Sequence, residues 1–195
     1  MSSILKELNK IFPKERVKSQ WIDLIAHSCD AGFYRLIPKA IVMPVNNDEI
    51  KGLFKLAQDY KIPVTFRTAG TSLSGQAITD GILVDLSQHW RRVKTEDNGE
   101  KIRVQPGVIG SWANLSLKKH GRKIGPDPSS IASAMMGGIL ANNASGMCCG
   151  VQHNSYHTLH SIRFMLPSGN EFDTEKKEDY DRFELEENIL FKKLQ

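Results

Sequence analysis

The stretch Pro63–Gln76, with the sequence PVTFRTAGTSLSGQ, constrains the fold of this chain more than any other. Its first residues, Val64-Thr65-Phe66, favour a strand because β-branched and aromatic side chains fit a pleated sheet. Gly70 and Gly75 then bracket three hydroxyl side chains, and glycine tolerates the positive φ that brings a backbone close to a bound group. Such a loop can hold a phosphate or pyrophosphate without a lysine. A Ser/Gly-rich surface turn with no ligand fits the spacing equally well.

Two common nucleotide-binding motifs do not match this loop. A P-loop requires G-x-x-x-x-G-K followed by Ser or Thr, but Gln76 and Ala77 follow the second glycine here. A Rossmann fingerprint requires a glycine two residues after the first, and that position holds Ser72. A nucleotide that binds at this loop is therefore held by neither a P-loop nor a Rossmann fingerprint.

The chain around the loop alternates between strand and helix patterns. The apolar run Ala40–Met43 predicts a strand, and Asn46 followed by acidic residues predicts the start of a helix. Apolar residues then recur at helical spacing as far as Tyr60. With strands at Pro63–Phe66 and Gly81–Leu86, the pattern predicts a β-α-β unit with a third strand added. The glycine loop follows the second strand.

The next segment has a different pattern, which is typical of antiparallel structure. His89–Thr95 and Lys101–Gln105 predict a hairpin with a tight type I′ turn at Asn98-Gly99. A helix is predicted over Val108–His120, where Gly121 is placed to cap it.

These patterns predict an α+β fold with two lobes. Residues 1–37 would form a helical segment, with helices at Ser3–Phe12 and Ser19–Ser28. Residues 38–94 would form a small β-α-β lobe. Residues 95–195 would begin a larger antiparallel lobe with helices, including a strand over Thr158–Pro167, a turn at 168–170 and a charged, helix-prone segment from Asp173.

A second group of glycines lies in that larger lobe. It comprises Gly125–Ser130 and Gly137–Gly146, where two glycines precede a predicted helix of small residues. Small residues let a backbone or a flat ring approach closely, and a helix start attracts phosphate. A tightly packed glycine-rich turn explains this group when it is considered alone. Its presence in addition to the Gly70 loop favours one extended ligand that spans both.

Composition restricts the classes of protein and of partner. The net charge of +4 over 195 residues is too small to indicate a nucleic acid partner. Three cysteines cannot all pair, and the vicinal Cys148 and Cys149 rarely bridge, which predicts free thiols in a reducing, cytoplasmic compartment. The first residues do not form a signal peptide. No run approaches the roughly 18 apolar residues that a transmembrane helix needs.

One cluster invites a metal-site interpretation that its spacing does not support. Cys148, Cys149, His153, His157 and His160 lie in one stretch, but the histidines span a loop and a predicted strand, so their directions diverge. There is no C-x-x-C pair. We therefore predict no metal centre, and no catalytic residue can be named from the sequence.

Taken together, the motifs resemble the FAD-binding (PCMH-type) domain of the vanillyl-alcohol oxidase and p-cresol methylhydroxylase superfamily. The closer likeness is to the branch of D-lactate, D-2-hydroxyglutarate and glycolate dehydrogenases. The likeness runs from about Ala31 to Asp173 and is strongest in the glycine clusters. The motifs that carry it are Tyr34-Arg35-x-x-Pro38, Arg67–Gln76, Gly125–Pro128 and Gly137–Gly146.

The resemblance implies cofactor-binding roles for residues in each cluster. The loop would wrap the FAD pyrophosphate with Arg67, Thr68, Ala69, Gly70, Thr71, Ser72, Ser74 and Gly75. Pro126 and Asp127 would lie near the flavin and the ribityl chain, and the backbone of Ile162, on the late strand, would face the adenine. The rest of the cofactor would be lined by Gly137, Gly138, Asn142, Ser145 and Gly146.

The implied reaction transfers a hydride from the C2–H of a small D-2-hydroxy acid to flavin N5, while a base removes the hydroxyl proton. A separate acceptor, which the sequence does not identify, would take the electrons. Thr71 stands where this superfamily often has a histidine linked covalently to the flavin, which predicts noncovalent FAD. The cytoplasmic enzyme could also lie peripherally on the inner membrane.

The resemblance further implies that this chain is a truncated, N-terminal piece that is inactive alone. The substrate arginines, the catalytic base and, in one subgroup, an iron–sulfur module would lie outside it. The alternative function is a non-catalytic flavin- or nucleotide-binding module that serves a partner. A cap sequence downstream in the full gene would favour the enzyme.

Overall fold

The structure is a computed structural model that describes residues 2–195, apart from the side chain of Ser2. The helices of these residues are α1 (Ser2–Ile11), α2 (Trp21–Ala26), α3 (Asn47–Tyr60), α4 (Gly110–Leu117), α5 (Met136–Ala141), α6 (Lys177–Glu186) and α7 (Asn188–Leu194). The strands are β1 (Val17–Lys18), β2 (Ala40–Val42), β3 (Val64–Arg67), β4 (Ile82–Asp85), β5 (Val93–Glu96), β6 (Lys101–Val104), β7 (Arg163–Met165) and β8 (Glu171–Asp173). Among residues 2–195, no helix is long and apolar enough to cross a membrane.

A four-stranded sheet lies at the centre of the first part of the chain. Its strand order is β1-β2-β4-β3, with β2, β4 and β3 parallel and β1 antiparallel to β2. Helix α3 makes the crossover that the parallel strands β2 and β3 require, and β4 lies between them. The predicted β-α-β unit with a third strand is confirmed. The edge strand β1 was not predicted, because two residues are too short to show a periodic pattern.

Both faces of this sheet are covered by helices. On one face, Leu8 of α1 and Leu53 of α3 pack in the cluster that includes Val84 of β4. On the other face, Leu24 of α2 packs with Leu83 of β4. Every residue of β2 and β4 is buried, as is typical of parallel strands with helices on both sides. The central strands are therefore held rigidly, and the loops that leave them start from fixed positions.

Helix α3 begins where the sequence predicts. The side chain of Asn46 accepts a hydrogen bond from the N–H of Glu49 at 2.9 Å, which caps the helix. The helix ends at Tyr60, followed by Lys61 in the left-handed conformation with φ 52°. The helices predicted over Ser3–Phe12 and Ser19–Ser28 are also present, with the bounds of α1 and α2.

The predicted hairpin is formed by β5 and β6, but the expected turn is wrong. Glu96 pairs with Lys101, so the loop has four residues rather than two. Asp97, Asn98 and Gly99 have φ values of 49°, 52° and 89°. Aspartate and asparagine tolerate the left-handed region, so the reversal starts before the Asn-Gly pair and needs an additional residue to close.

Three other predicted bounds are corrected. Helix α4 ends at Leu117, and a 3₁₀ turn over Lys118–His120 leads to Gly121, whose φ of 67° confirms the predicted cap. Gly137 and Gly138 lie within the first turn of α5 rather than before it. The strand predicted over Thr158–Pro167 is limited to β7.

The chain divides into two compact units, one ending at Thr158 and one formed by Leu159–Gln195. The predicted boundary near residue 95 marks the change from parallel to antiparallel pairing, and as a domain boundary it stays a prediction.

The second unit has its own small core. Strands β7 and β8 form a hairpin with Gly169 in its turn at φ 88°, and the charged segment that follows is helical, as predicted. The unit is held by a group of phenylalanine rings whose centroids lie 5.2–6.4 Å apart, namely Phe164, Phe172, Phe183 and Phe191.

An ion pair joins the start of α3 to the chain before β1. Both carboxylate oxygens of Glu49 accept hydrogen bonds of 2.6 Å from the guanidinium of Arg16. The two side chains are largely buried, with 15% of Arg16 and 13% of Glu49 exposed. The hydrogen bond from Arg16 holds the pKa of Glu49 below its usual range and outweighs the opposing effect of burial. The pair therefore stabilises the fold while Glu49 is ionised.

We expect Glu49→Gln to lower the free energy of unfolding by about 1–3 kcal/mol at neutral pH, because Arg16 then keeps a partly buried charge without its partner. The folded-state pKa of Glu49 is lowered, so this stabilisation is full above the unfolded-state pKa of about 4.3 and is lost as pH falls through the folded-state value. Urea unfolding of both proteins across this pH range measures the difference.

The matched control is Glu7→Gln, which removes the ion pair between Glu7 and Lys10 on the outer surface of α1. This substitution should change the free energy of unfolding much less than Glu49→Gln does at any pH, because the two side chains of this pair are more exposed. A Glu49→Gln difference that does not shrink on acidification contradicts the assignment of the stabilisation to the ion pair.

Candidate functional site

The glycine loop begins directly after β3 and has the conformation that its sequence predicts. Gly70 and Gly75 both have positive φ, at 68° and 73°. The loop also forms contacts of its own: Ser72 donates from its hydroxyl to Gln76 Oε1 at 2.8 Å and accepts from the N–H of Ser74 at 3.2 Å. The two left-handed residues turn the backbone so that its polar groups are available on the surface of the loop.

Several backbone donors of this loop are free. Among residues 2–195, the N–H groups of Ala69, Gly70 and Thr71 have no hydrogen-bond acceptor. These residues are only partly buried. Consecutive N–H groups in a turn with left-handed residues form a concave site for an anion. The loop can therefore hold a phosphate through its backbone alone.

Arg67, the last residue of β3, does not extend into this open space. Its Nη1 donates to the carbonyl oxygens of Cys29 at 2.7 Å, His27 at 3.3 Å and Ala77 at 3.4 Å. The strand alternation explains the direction, because the neighbouring Phe66 is on the exposed face. In this structure the guanidinium binds backbone carbonyls, and the pyrophosphate contact predicted for Arg67 stays a prediction.

Thr68 brings the two distant glycine clusters together. A Cβ atom added at Gly137 would lie 3.2 Å from Cγ2 of Thr68, and one added at Gly138 would lie 3.4 Å from its Oγ1. The N–H of Gly137 donates to the carbonyl of Pro106 at 2.9 Å, whereas the N–H of Gly138 has no acceptor among the described residues. The start of α5 and the end of β3 therefore form one site, although about seventy residues separate them in sequence.

A third contact closes the other end of the second cluster. A Cβ atom added at Gly146 would lie 1.7 Å from the carbonyl oxygen of Asp127, so only glycine fits. A Cβ atom added at Gly125 would meet Thr158 at 2.5 Å, and Pro126 is buried. The segments Gly125–Ser130 and Gly137–Gly146 thus pack on each other, as one extended ligand spanning both would require.

The turn after α5 is fixed by hydrogen bonds that the sequence did not reveal. Asn143 has a φ of 45°, and Ala144 and Asn143 donate to the carbonyls of Ile139 and Leu140, a Schellman motif. Ser155 donates from its hydroxyl to the carbonyl of Ala144 at 2.8 Å. No local pattern indicates Ser155, because its partner lies eleven residues earlier.

The remaining predicted site residues differ in their exposure and in the hydrogen bonds that they already form within the protein. Asn142 donates from its side-chain amide to the carbonyl of Gly138 at 3.1 Å, and Ser145 is exposed. Ile162 precedes β7 by one residue, and it belongs to the second compact unit. Its N–H donates to Thr174 Oγ1 and its carbonyl accepts from the N–H of Thr174. A role for Ile162 toward adenine stays a prediction.

The cysteine and histidine stretch shows individual contacts instead of a shared centre. Nδ1 of His157 lies 2.9 Å from Oδ1 of Asn154, and His160 faces Glu175 at 3.8 Å. Cys149 is buried while Cys148 is exposed. Within the described part of the chain, no group of three or more His, Cys, Asp or Glu side chains is placed to hold a metal ion.

Comparison with known protein families relates this chain to cofactor-binding domains. A family model described as a FAD binding domain matches residues 38–175.

Curated relatives are longer than this chain. D-2-hydroxyglutarate dehydrogenase of Escherichia coli strain K12 is 32% identical over 162 residues, covering 80% of this chain and 16% of the relative. Glycolate oxidase subunit GlcD of the same strain is 28% identical over 171 residues, covering 86% of this chain and 34% of the relative. Mitochondrial D-lactate dehydrogenase (cytochrome) 1 of Saccharomyces cerevisiae is 31% identical over 145 residues, covering 72% of this chain and 24% of the relative. The chain therefore spans at most about a third of these relatives.

Solved structures share the fold. Alkyldihydroxyacetonephosphate synthase superposes with a TM-score of 0.77 at 21% identity, covering 94% of this chain and 40% of that chain. p-Cresol methylhydroxylase with substrate bound superposes with a TM-score of 0.73 at 14% identity, covering 89% of this chain and 35% of that chain. At these identities the likeness concerns the fold alone, and it confirms the predicted α+β, PCMH-type architecture.

We expect Gly146→Ala and Gly138→Ala to change the free energy of unfolding in opposite directions. The first forces a Cβ atom into the Asp127 carbonyl and should lower the free energy of unfolding by about 1–3 kcal/mol or more. The second meets Thr68 at an ordinary contact distance in a helix, where alanine is favoured over glycine by about 0.5–1 kcal/mol. Urea unfolding of both variants measures the two changes. Equal changes in the free energy of unfolding for the two variants would show that the segments Gly125–Ser130 and Gly137–Gly146 pack less closely than described.

Proposed function

This chain belongs to the family of FAD binding domains, and from that membership we propose that it is the FAD-binding part of a dehydrogenase that oxidises a small D-2-hydroxy acid. The resemblance inferred from the motifs, to the superfamily of p-cresol methylhydroxylase and its D-2-hydroxyacid dehydrogenase branch, is confirmed by the family match and the relatives. The substrate class is our inference from the names of three relatives, which act on D-2-hydroxyglutarate, glycolate and D-lactate.

The observation that supports the proposal best is the meeting of the two glycine clusters at Thr68. FAD is a long ligand with a pyrophosphate between two flat ring systems, so it needs an anion site next to surfaces without side chains. The free N–H groups of Ala69, Gly70, Thr71 and Gly138 suit the pyrophosphate. At Gly138 an added Cβ would have Thr68 Oγ1 at 3.4 Å as its nearest neighbour, so this position leaves an adjoining surface without a side chain. The residues present therefore fit the cofactor.

We assign the binding of FAD to the backbone of these clusters and to the side chains that project from them. The assigned residues are Thr68, Ala69, Gly70, Thr71, Ser72, Ser74, Gly75, Pro126, Asp127, Gly137, Gly138, Asn142, Ser145 and Gly146. When bound, FAD supplies an acceptor for the two electrons and the hydride that a 2-hydroxy acid loses on oxidation to a 2-oxo acid. The protein contributes binding, orientation and the exclusion of water.

We expect the 195-residue chain to bind added FAD noncovalently. Thr71 has a hydroxyl that does not attack the flavin ring, and the segment Gly125–Ser130 contains no cysteine. Titration by flavin fluorescence measures the affinity, and acid precipitation should leave all the yellow colour in the supernatant. Colour that stays with the pellet contradicts a noncovalent cofactor, and an absence of binding at millimolar FAD contradicts the proposal itself.

A pair of glycine variants locates the binding. Gly70→Val and Gly121→Val impose a β-branched residue at nearly the same positive φ, 68° and 67°, and so incur a similar backbone strain of about 1–3 kcal/mol. Gly121 follows α4, outside the assigned cofactor residues, and an added Cβ has no neighbour within 4 Å. We expect only Gly70→Val to abolish FAD binding. Loss in both variants would assign the effect to general destabilisation.

We also expect the chain with FAD to oxidise D-2-hydroxy acids far more slowly than its relatives do. It spans 34% of the length of GlcD, and the resemblance places the substrate arginines and the catalytic base outside it. Dye reduction with D-lactate, D-2-hydroxyglutarate and glycolate tests this, with Escherichia coli GlcD and glycolate as the positive control. A rate equal to that of the control would mean that the described residues contain the catalytic base.

A further inference from the structure

Arg67 ties together three stretches of backbone. It is the last residue of β3, and its Nη1 donates to the carbonyls of His27 and Cys29, which lie just after α2, and to that of Ala77, which follows the glycine loop. One side chain therefore binds the residue beyond the loop's far end and a separate segment of the chain. A charged donor forms stronger hydrogen bonds to carbonyls than a neutral donor does.

The segment that Arg67 binds also contacts the loop directly. The N–H of Ala31 donates to the carbonyl of Ser72 at 3.0 Å. A Cβ atom added at Gly32 would lie 2.6 Å from the carbonyl oxygen of Leu73. Oδ1 of Asp30 accepts from the N–H of Gly32 at 2.8 Å and so holds this turn in shape. We call residues 27–32 the docking segment, because the tip of the loop rests on it.

Gly70 lies directly against the guanidinium. A Cβ atom added there would be 2.4 Å from Nη2, 2.6 Å from Cζ and 2.7 Å from Nε of Arg67. The glycine is thus required twice, once for its φ of 68° and once to leave room for the arginine. A side chain at position 70 would force the guanidinium away from the carbonyls that it binds.

From these contacts we propose that Arg67 is a positioning residue for the cofactor loop and not a ligand of the phosphates. It holds the loop on the docking segment, so that the free N–H groups of Ala69, Gly70 and Thr71 are already arranged before an anion binds. The docking segment thereby acts on the site through its contacts with the loop. This role rests on the proposed function, because the loop must be the one that holds the pyrophosphate.

The contact between the loop and its docking segment can be tested without FAD. The reporter is hydrogen exchange of the Ala31 amide, which is bonded to Ser72, compared with that of Ile82, which donates to Pro63 within the sheet. Gly70→Ala is made in the wild-type chain and in an Arg67→Ala chain. The strain of the positive φ is common to both backgrounds, so it cancels in the comparison.

We expect Gly70→Ala to accelerate exchange at Ala31 about tenfold more when Arg67 is present, because only then does the new methyl group displace the guanidinium. Exchange at Ile82 should change little in either background. The matched control is Gly75→Ala, which has a φ of 73° but meets Tyr34 instead of Arg67. Its effect should be the same in both backgrounds. Equal effects of Gly70→Ala in the two backgrounds would overturn the positioning role.

The second measurement separates positioning from direct contact. Arg67→Lys keeps the charge but not the planar group that reaches several carbonyls, and Arg67→Gln removes the charge. We expect both to weaken FAD binding about ten- to a hundredfold and to leave the weaker binding of riboflavin, which has no phosphate, unchanged. Wild-type FAD affinity in Arg67→Lys with loss only in Arg67→Gln would identify a direct phosphate contact. Parallel losses of FAD and riboflavin would reduce Arg67 to a general structural role.

Failure of this inference is distinguishable from failure of the proposed function. A wild-type chain that binds no FAD contradicts the function, while the exchange experiment still reports whether Arg67 holds the loop. A wild-type chain that binds FAD with an Arg67→Lys variant of equal affinity contradicts the inference and leaves the function standing.

Discussion

The pairing of β4 with both of its neighbours is the interaction on which the rest of the structure depends. Strand β4 bonds to β2 on one side and to β3 on the other, in parallel register with each, and all four of its residues are buried. Because parallel strands end at the same edge of a sheet, this pairing fixes where the glycine loop leaves β3. The N–H of Leu86 donates to the carbonyl of Arg67 at 2.9 Å and extends the ladder to the last residue before the loop.

The contacts that form the site begin at this edge of the sheet. Thr68 reaches the start of α5, and α5 is held in turn by backbone bonds from Met136 to Val108 and from Gly137 to Pro106. Each contact is small, and none is a large apolar interface. The site therefore depends on close backbone approach, which glycine allows, more than on side chains that could be recognised singly. This explains how a chain without a lysine in its loop can offer a place for a pyrophosphate.

The sequence predicted those parts of the fold that local physics determines. The Asn46 cap, the helical spacing to Tyr60 and the left-handed glycines at 70 and 75 all follow from neighbours in the chain. What it did not predict depends on partners far away in sequence. The Arg67 side chain takes its direction from hydrogen bonds to carbonyls of the docking segment, which lies about forty residues earlier in the sequence. The two-residue strand β1 exists because β2 offers it an edge, and no pattern of two residues can indicate that.

The close approach of Gly146 to Asp127 has a consequence for sequence divergence. No side chain of any kind fits at position 146, whether or not a ligand is bound, so a descendant that lost its cofactor would retain that glycine for packing alone. Gly138 has room for a methyl group, so under the proposed function only the bound cofactor would keep that position glycine. Drift at position 138 with glycine retained at position 146 would therefore mark a lineage that kept the architecture and abandoned its cofactor.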